Sequence, residues 1–210
     1  MVVAFDLDDT LFPEADYVES AFRAIGRRYG LHLLGPMMCA ATPAEAFDST
    51  GLPVDELLAI YRTHFPDIRL PWESLYALAS LRNAGHRLAL VTDGRSVTQR
   101  HKIEALGLGR FIAPDMMFIS AEVGEGKAGG RAFRAIMDRC PGETFMYVGD
   151  NPDKDVAAPL ALGWKVVLLR SRGRNIHPQD LSRCGGAVCV DSLTELMSIA
   201  GAAHSPVISR

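Results

Sequence analysis

The sequence predicts an α/β fold, a parallel sheet with helices on both faces, interrupted by a small all-helical insertion. Three observations carry this reading. Val2-Val3-Ala4-Phe5 is an apolar run without alternation, the pattern of a central strand covered on both faces. From residue 71 onward, short apolar runs alternate with helical spacing, which calls for parallel strands joined by crossovers. Between these two parts, residues 13–70 show helical spacing only. A chain of 210 residues has room for one ordinary domain with a small insertion. The predicted division is a core of 1–12 and 71–200, a helical module of 13–70 and a frayed Ser/Ala/Gly-rich tail of 201–210.

In chain order, Val18, Ala21, Phe22 and Ile25 repeat at helical spacing within Glu14 to Tyr29, and Gly30 ends the segment. Residues 31–42 read as irregular around Gly35-Pro36. Thr42 and Pro43 fit the N-cap and first position of a helix that stops at Gly51. Pro53 opens another helix, Val54 to His64, with Leu57, Leu58 and Tyr61 on one face. Trp72 to Asn83 is helical and stops at Gly85. A strand over His86 to Val91 ends in Thr92-Asp93-Gly94, and Ser96 caps a helix to Leu106. A strand over Met116 to Ile119 and a helix over Ala128 to Arg139 come next. The strand Thr144 to Val148 runs into Gly149-Asp150. Asp153 to Leu162 is helical around Pro159, and Lys165 to Leu169 is a strand. Ala187 to Val190 is the last strand, and Ser192 to Ala200 the last helix.

Composition narrows the class. Hydrophobic residues make up 48% and charged residues 22%, as in an ordinary globular protein. A net charge of −3 gives no reason to expect nucleic acid or an anionic membrane as partner. No apolar stretch is long enough to span a bilayer, and acidic residues by position 6 do not fit a secretory signal. Cys39, Cys140, Cys184 and Cys189 form no CxxC pair and stand near no histidine at finger spacing. They read as reduced thiols, so the expected compartment is the cytoplasm. The six histidines form no cluster. Met37-Met38 and Met116-Met117 read as packing, and Arg170, Arg172 and Arg174 as a solvated basic loop.

The chemistry gathers where strands end. Asp6, Asp8 and Asp9 follow the first strand at once, and uncompensated charge does not stay buried. Clustered carboxylate oxygens at the carboxyl end of a parallel strand suit Mg²⁺. Thr92 with Asp93 and Gly94, then Lys127, then Asp150 with Asp155, follow in order at or just beyond later strands. Alone, each has an ordinary explanation: an acidic turn, an Asx turn, a surface lysine, helix N-terminal charges. Their joint occurrence in this order favours a functional site.

In this arrangement the chain resembles the haloacid-dehalogenase-like (HAD) hydrolase superfamily. The resemblance rests on FDLDDTLF, VTDG, Lys127 in EVGEGKAGG, and VGDNPDKD, and spans nearly the whole chain. The stretch DGRSVTQRHKIEALGL is similar to the region after the second motif in nucleotidases and acylneuraminate phosphatases of subfamily I. The helical insertion looks like that subfamily's cap. The resemblance implies a Rossmann-like core and a Mg²⁺-dependent phosphatase acting on a small phosphometabolite, a nucleoside monophosphate or a sugar phosphate. It implies Asp6 as nucleophile, forming an aspartyl-phosphate. Mg²⁺ would be held by Asp6, the Asp8 backbone carbonyl and Asp150, screening two anions that must meet. Asp8 would serve as acid and then base. Thr92, Asp93, Gly94 and Lys127 would bind phosphate, and Asp155 would act through waters or through Lys127.

Four other readings use some of these residues. A phosphomutase uses the same first motif, and a phosphate-binding protein keeps the pocket without turnover. A receiver domain lacks a helical insertion after strand one, and dehalogenase relatives lack an aspartate at the position of Asp8. One departure stands out. Members of subfamily I usually carry proline after the lysine of the third motif, whereas Lys127 precedes Ala128-Gly129-Gly130, which predicts a looser loop.

Overall fold

The computed structural model describes residues 1–171 and 173–201. The expectations for Arg172 and for residues 202–210 lie outside these. β1 (Val2–Phe5) is completely buried, as its unbroken apolar run requires. Five further strands join it: β2 (Arg87–Thr92), β3 (Met117–Ile119), β4 (Phe145–Gly149), β5 (Lys165–Leu169) and β6 (Val188–Val190). All pairings are parallel, in the order β3-β2-β1-β4-β5-β6. All six strands sit within a residue or two of the sequence-based expectation, and the α/β fold with a Rossmann-like parallel sheet is as expected.

The register positions the site. Phe5 pairs with Leu90 on one side and Val148 on the other, so β2, β1 and β4 end side by side. The strand order reverses between β1 and β4, and ligands of open α/β sheets bind at such switch points.

Helices α1 (Glu14–Tyr29), α2 (Leu34–Cys39), α3 (Pro43–Asp48) and α4 (Val54–Thr63) fill the stretch between β1 and β2 with α5 (Trp72–Asn83). Thr42 caps α3 by accepting the Glu45 N–H, as its sequence predicts. Residues 31–39, expected to be irregular, instead form a 3₁₀ turn that runs into α2. Pro36 is tolerated there because it falls in the first turn, where no helical N–H is required. Met37 then packs with Val18, Phe22, Ile25, Phe47 and Leu57 in a cluster separate from the main core.

After β2 come α6 (Ser96–Ala105), α7 (Ser120–Val123), α8 (Arg131–Arg139), α9 (Pro152–Asp155), α10 (Ala157–Ala161) and α11 (Leu196–Gly201). Ser96 is the first residue of α6 rather than its cap, because its hydroxyl is drawn away to Glu122 at 2.5 Å. α8 starts at Arg131, later than expected, since Gly130 at φ +80° separates it from a 3₁₀ turn over Lys127–Gly129. Gly201, expected in the tail, closes α11. The four cysteines are free thiols.

Phe133 of α8 keys the core, with its ring edge-on to Tyr147 at 4.9 Å and to Trp164 at 5.2 Å. Phe133→Ala should cost about 3–5 kcal/mol through the cavity it leaves. Urea denaturation followed by circular dichroism checks this, and a loss under 1 kcal/mol would mean the site collapses around the gap.

Candidate active site

The break after β1 builds the site. The Asp6 N–H still donates to Val148 O at 2.8 Å, so the strand holds Asp6 at the sheet's carboxyl edge. Asp9 then adopts φ +55°, a left-handed conformation that side chains seldom take. Its carboxylate secures the turn, with Oδ1 accepting the Glu14 N–H at 2.9 Å and Oδ2 the Ile176 N–H at 3.2 Å.

A cavity of about 180 Å³ opens over these strand ends. Its walls include Asp6, Asp8, Thr92, Asp93, Lys127 and Asp150. Six of the eight residues to which the family resemblance gives a role therefore meet in one place, from segments up to 144 positions apart.

Lys127 is the electrostatic centre. It is 4% exposed, and its Nζ lies 2.6 Å from Asp155 Oδ1 and 3.0 Å from Asp6 Oδ2. Burial works against its charge, but Asp155 and Asp6 together outweigh that and hold its pKa above the usual lysine range. Asp155, expected to act through waters or Lys127, does meet Lys127 directly. Its Oδ1 also accepts the Tyr147 hydroxyl at 3.1 Å, and its Oδ2 accepts the N–H groups of Asp150 and Asn151 at 3.1 and 2.9 Å. Gly149 makes this possible. A Cβ there would stand 2.3 Å from Asp155 Oδ2, so the backbone and the carboxylate approach only because that atom is missing.

Lys127 alone does not balance the carboxylates nearest to it. Burial pushes the Asp6 carboxyl well above its usual range; Lys127 pulls it down, and Asp155, Asp150 and Asp8 push it up again. Asp150 is pushed up to about 7, by burial first and then by Asp155 and Asp9. Single oxygens of Asp6, Asp150 and Asp155 lie within 4.8 Å of one another. Hard oxygen donors with surplus negative charge fit a small divalent cation such as Mg²⁺. Asp155 spends both oxygens on protein partners, which leaves Asp6 and Asp150 as the carboxylates best able to hold one.

The loop after Lys127 departs from the predicted looseness. The Asp93 Oδ1 accepts the Lys127 N–H at 3.0 Å, Glu125 Oε2 accepts the Arg131 N–H at 2.9 Å, and the Arg134 Nη2 donates to Gly129 O at 2.7 Å. Side-chain hydrogen bonds thus constrain a backbone that carries no proline. Gly94, by contrast, does not line the cavity: its N–H is taken by Ser120 Oγ at 2.9 Å.

Several neighbours had no distinctive sequence signal. Gln99 Nε2 donates to Thr92 Oγ1 at 2.7 Å and to Asp8 Oδ2 at 2.9 Å, and Lys102 pairs with Asp8 Oδ1 at 2.6 Å. Asn175 donates to Asp150 Oδ2 at 2.8 Å and Gln179 to Asp150 O at 2.5 Å. Arg174, read as solvated, instead reaches from that loop to Asp16 of α1 at 2.8 Å. Glu14 and His177 also line the cavity. The Glu14 carboxyl rises to about 7 through burial and the nearby Asp8, with Lys102 opposing.

The parallel α/β core thus carries an acidic cluster and two buried lysines, Lys127 and Lys102, at its switch point, and comparison with known proteins fixes the family. The family model of haloacid dehalogenase-like hydrolases matches residues 40–163. The chain is 31% identical to the phosphoserine phosphatase of Thermus thermophilus over 182 residues, 80% of this chain and 71% of that one. It is 25% identical to the glyceraldehyde 3-phosphate phosphatase of Methanocaldococcus jannaschii, covering 94% and 95% of the two. The magnesium-bound HAD-hydrolase YfnB of Bacillus subtilis superposes with a TM-score of 0.68 at 19% identity, over 94% of this chain and 97% of that chain. The chain belongs to the haloacid dehalogenase-like hydrolases and is an enzyme of that class.

No helix among the described residues is long and apolar enough to cross a membrane. Lys127→Met should lower stability by about 3–5 kcal/mol, since it strands buried carboxylates without a partner. Denaturant unfolding in metal-free buffer measures this; a change under 1 kcal/mol would show that the carboxylates simply take up protons.

Proposed function

We propose that this protein is a Mg²⁺-dependent phosphatase of a small phosphorylated metabolite, working through an aspartyl-phosphate on Asp6. The observation that carries the reading is the meeting of Asp6, Asp8, Thr92, Lys127 and Asp150 around one cavity. The phosphatase names of the relatives and the magnesium in YfnB support it.

In this reading Asp6 attacks phosphorus in line, forming the acyl-phosphate bond as the ester P–O bond breaks. Asp8 protonates the departing alkoxide, then takes a proton from the water that hydrolyses the acyl-phosphate and frees Asp6. Lys127 faces the charge of the transferring group. Thr92 Oγ1 accepts from Gln99, so its own hydrogen remains for a phosphoryl oxygen. Mg²⁺ held by Asp6, the Asp8 carbonyl and Asp150 would supply the positive charge that lets a carboxylate approach a phosphoester. Residues 13–70 act as a cap on the core, and α1 brings Glu14 to the cavity wall.

The cavity size bears on the substrate. About 180 Å³ falls below the roughly 300–1,000 Å³ of sites for drug-sized ligands. It favours a short-chain phosphate ester, in line with the three-carbon substrates named for the relatives, over the nucleoside monophosphates weighed from the sequence.

Phosphate release from a panel of phosphorylated metabolites, with and without Mg²⁺, tests the whole reading. Turnover without Mg²⁺, or none on any ester, would overturn it. Asp6→Asn should lose at least a thousandfold in rate, roughly 4 kcal/mol of barrier, while remaining folded. Asp150→Ala should raise the Mg²⁺ concentration for half-maximal activity at least tenfold; an unchanged titration removes Asp150 from the metal.

A further inference from the structure

Lys102 of α6 is the second buried lysine at this site, and the mechanism above does not use it. It is 2% exposed. A lysine so far from water needs its charge answered locally. The answer comes from Asp8 Oδ1 at 2.6 Å, with Glu14 Oε1 at 3.9 Å. The faces of Tyr17 and Phe12 complete the enclosure, with ring centroids 4.2 and 5.7 Å from Nζ. One turn earlier, Gln99 donates to Asp8 Oδ2 at 2.9 Å. Residues three apart share one face of a helix, so α6 presents two donors together and each takes one oxygen of the same carboxylate.

The same helix also meets the inserted module. Thr98 Oγ1 donates to Arg62 O at 2.8 Å, and His101 Nδ1 lies 3.2 Å from His64 O, both at the end of α4. Glu14 and Tyr17 belong to α1, where that module begins. α6 therefore touches both connections of the module while gripping Asp8.

We propose that Lys102, with Gln99, is a positioning residue that fixes the Asp8 carboxylate for proton transfer and ties it to the first turn of α1. This rests on the phosphatase reading, in which Asp8 is the acid and base. A carboxylate offers about four lone-pair sites. One donor on each oxygen fixes its plane and leaves the remaining lone pairs to handle the proton. Without these donors the carboxylate rotates about its side-chain bonds, and misplacement on the order of 1 Å can cost about a hundredfold in rate.

The test uses the full-length, Mg²⁺-loaded protein and p-nitrophenyl phosphate in stopped flow. Nitrophenolate departs without needing a proton, so the first turnover does not call on Asp8, whereas hydrolysis of the aspartyl-phosphate does. Asp8→Asn should release one equivalent of nitrophenolate at close to the wild-type rate and then stall. Lys102→Met should repeat that pattern: a burst within twofold of wild type, and a steady-state rate at least tenfold lower. Gln99→Leu, which leaves the buried ion pair in place, carries the same test where Lys102→Met does not fold. With glycerol phosphate, whose alkoxide needs a proton, the first step should also slow at least tenfold in these variants. A role confined to packing or charge balance would slow burst and steady state together, and that outcome, or no change in either variant, overturns the inference. Normal hydrolysis in Asp8→Asn would instead bring down the acid–base reading and this inference with it. A stalled Asp8→Asn beside a normal Lys102→Met and Gln99→Leu brings down the inference alone.

Discussion

The ion pairs of Lys127 with Asp155 and Asp6 are the constraint on which the rest of the site depends. Parallel pairing delivers the ends of β2, β1 and β4 to one edge, and with them carboxylates that water would otherwise solvate. Burying such charge is costly without a partner. Lys127 answers part of it, two backbone N–H groups and the Tyr147 hydroxyl answer another part through Asp155, and a surplus remains on Asp6 and Asp150. That surplus is what makes the edge receptive to a cation and, through it, to a phosphoryl group. Stability and chemistry are therefore set by the same few contacts.

Two lysines divide the carboxylates between them. Lys127 serves Asp6 and Asp155 on the sheet side, and Lys102 serves Asp8 and Glu14 on the side of the insertion. The side chains stay apart because they come from different segments, the turn after α7 and the middle of α6. A third support comes from the loop after β5, whose Asn175 and Gln179 hold Asp150 while Arg174 reaches α1. Each acidic residue of the cavity is thus fixed by an element other than the one that carries it.

Much of this was legible in the sequence because it is local. Val2–Phe5 announces a buried strand by its lack of alternation, and Thr42-Pro43 announces a helix start by cap chemistry. Asp6, Thr92, Lys127 and Asp150 were findable because each stands at or just past an element whose type was readable. Gln99 and Lys102 were not, since a glutamine and a lysine in a largely polar helix look like solvated residues, and only a fold that brings them 91 and 94 positions back to Asp8 reveals otherwise. The KAGG loop misled for a related reason. Its own composition is permissive, and the hydrogen bonds from Asp93, Glu125 and Arg134 that restrain it come from outside. Gly94, which beside its motif reads as an open approach to phosphate, has its amide held by Ser120 from a different segment.

Gly149 has a consequence for how this protein tolerates change. The space where its side chain would begin is filled by the Asp155 carboxylate, and even the smallest addition meets three of its atoms at 2.8 Å or closer. Moving Asp155 away would break its pairing with Lys127 and release the amides of Asp150 and Asn151. In a saturation library selected for activity, position 149 would admit a single letter, and alanine would be purged as firmly as tryptophan. A map of mutational tolerance would therefore rank it beside the nucleophile, although it offers the substrate no functional group. What is preserved there is an absence of atoms, and the pressure on it comes from a carboxylate six residues away.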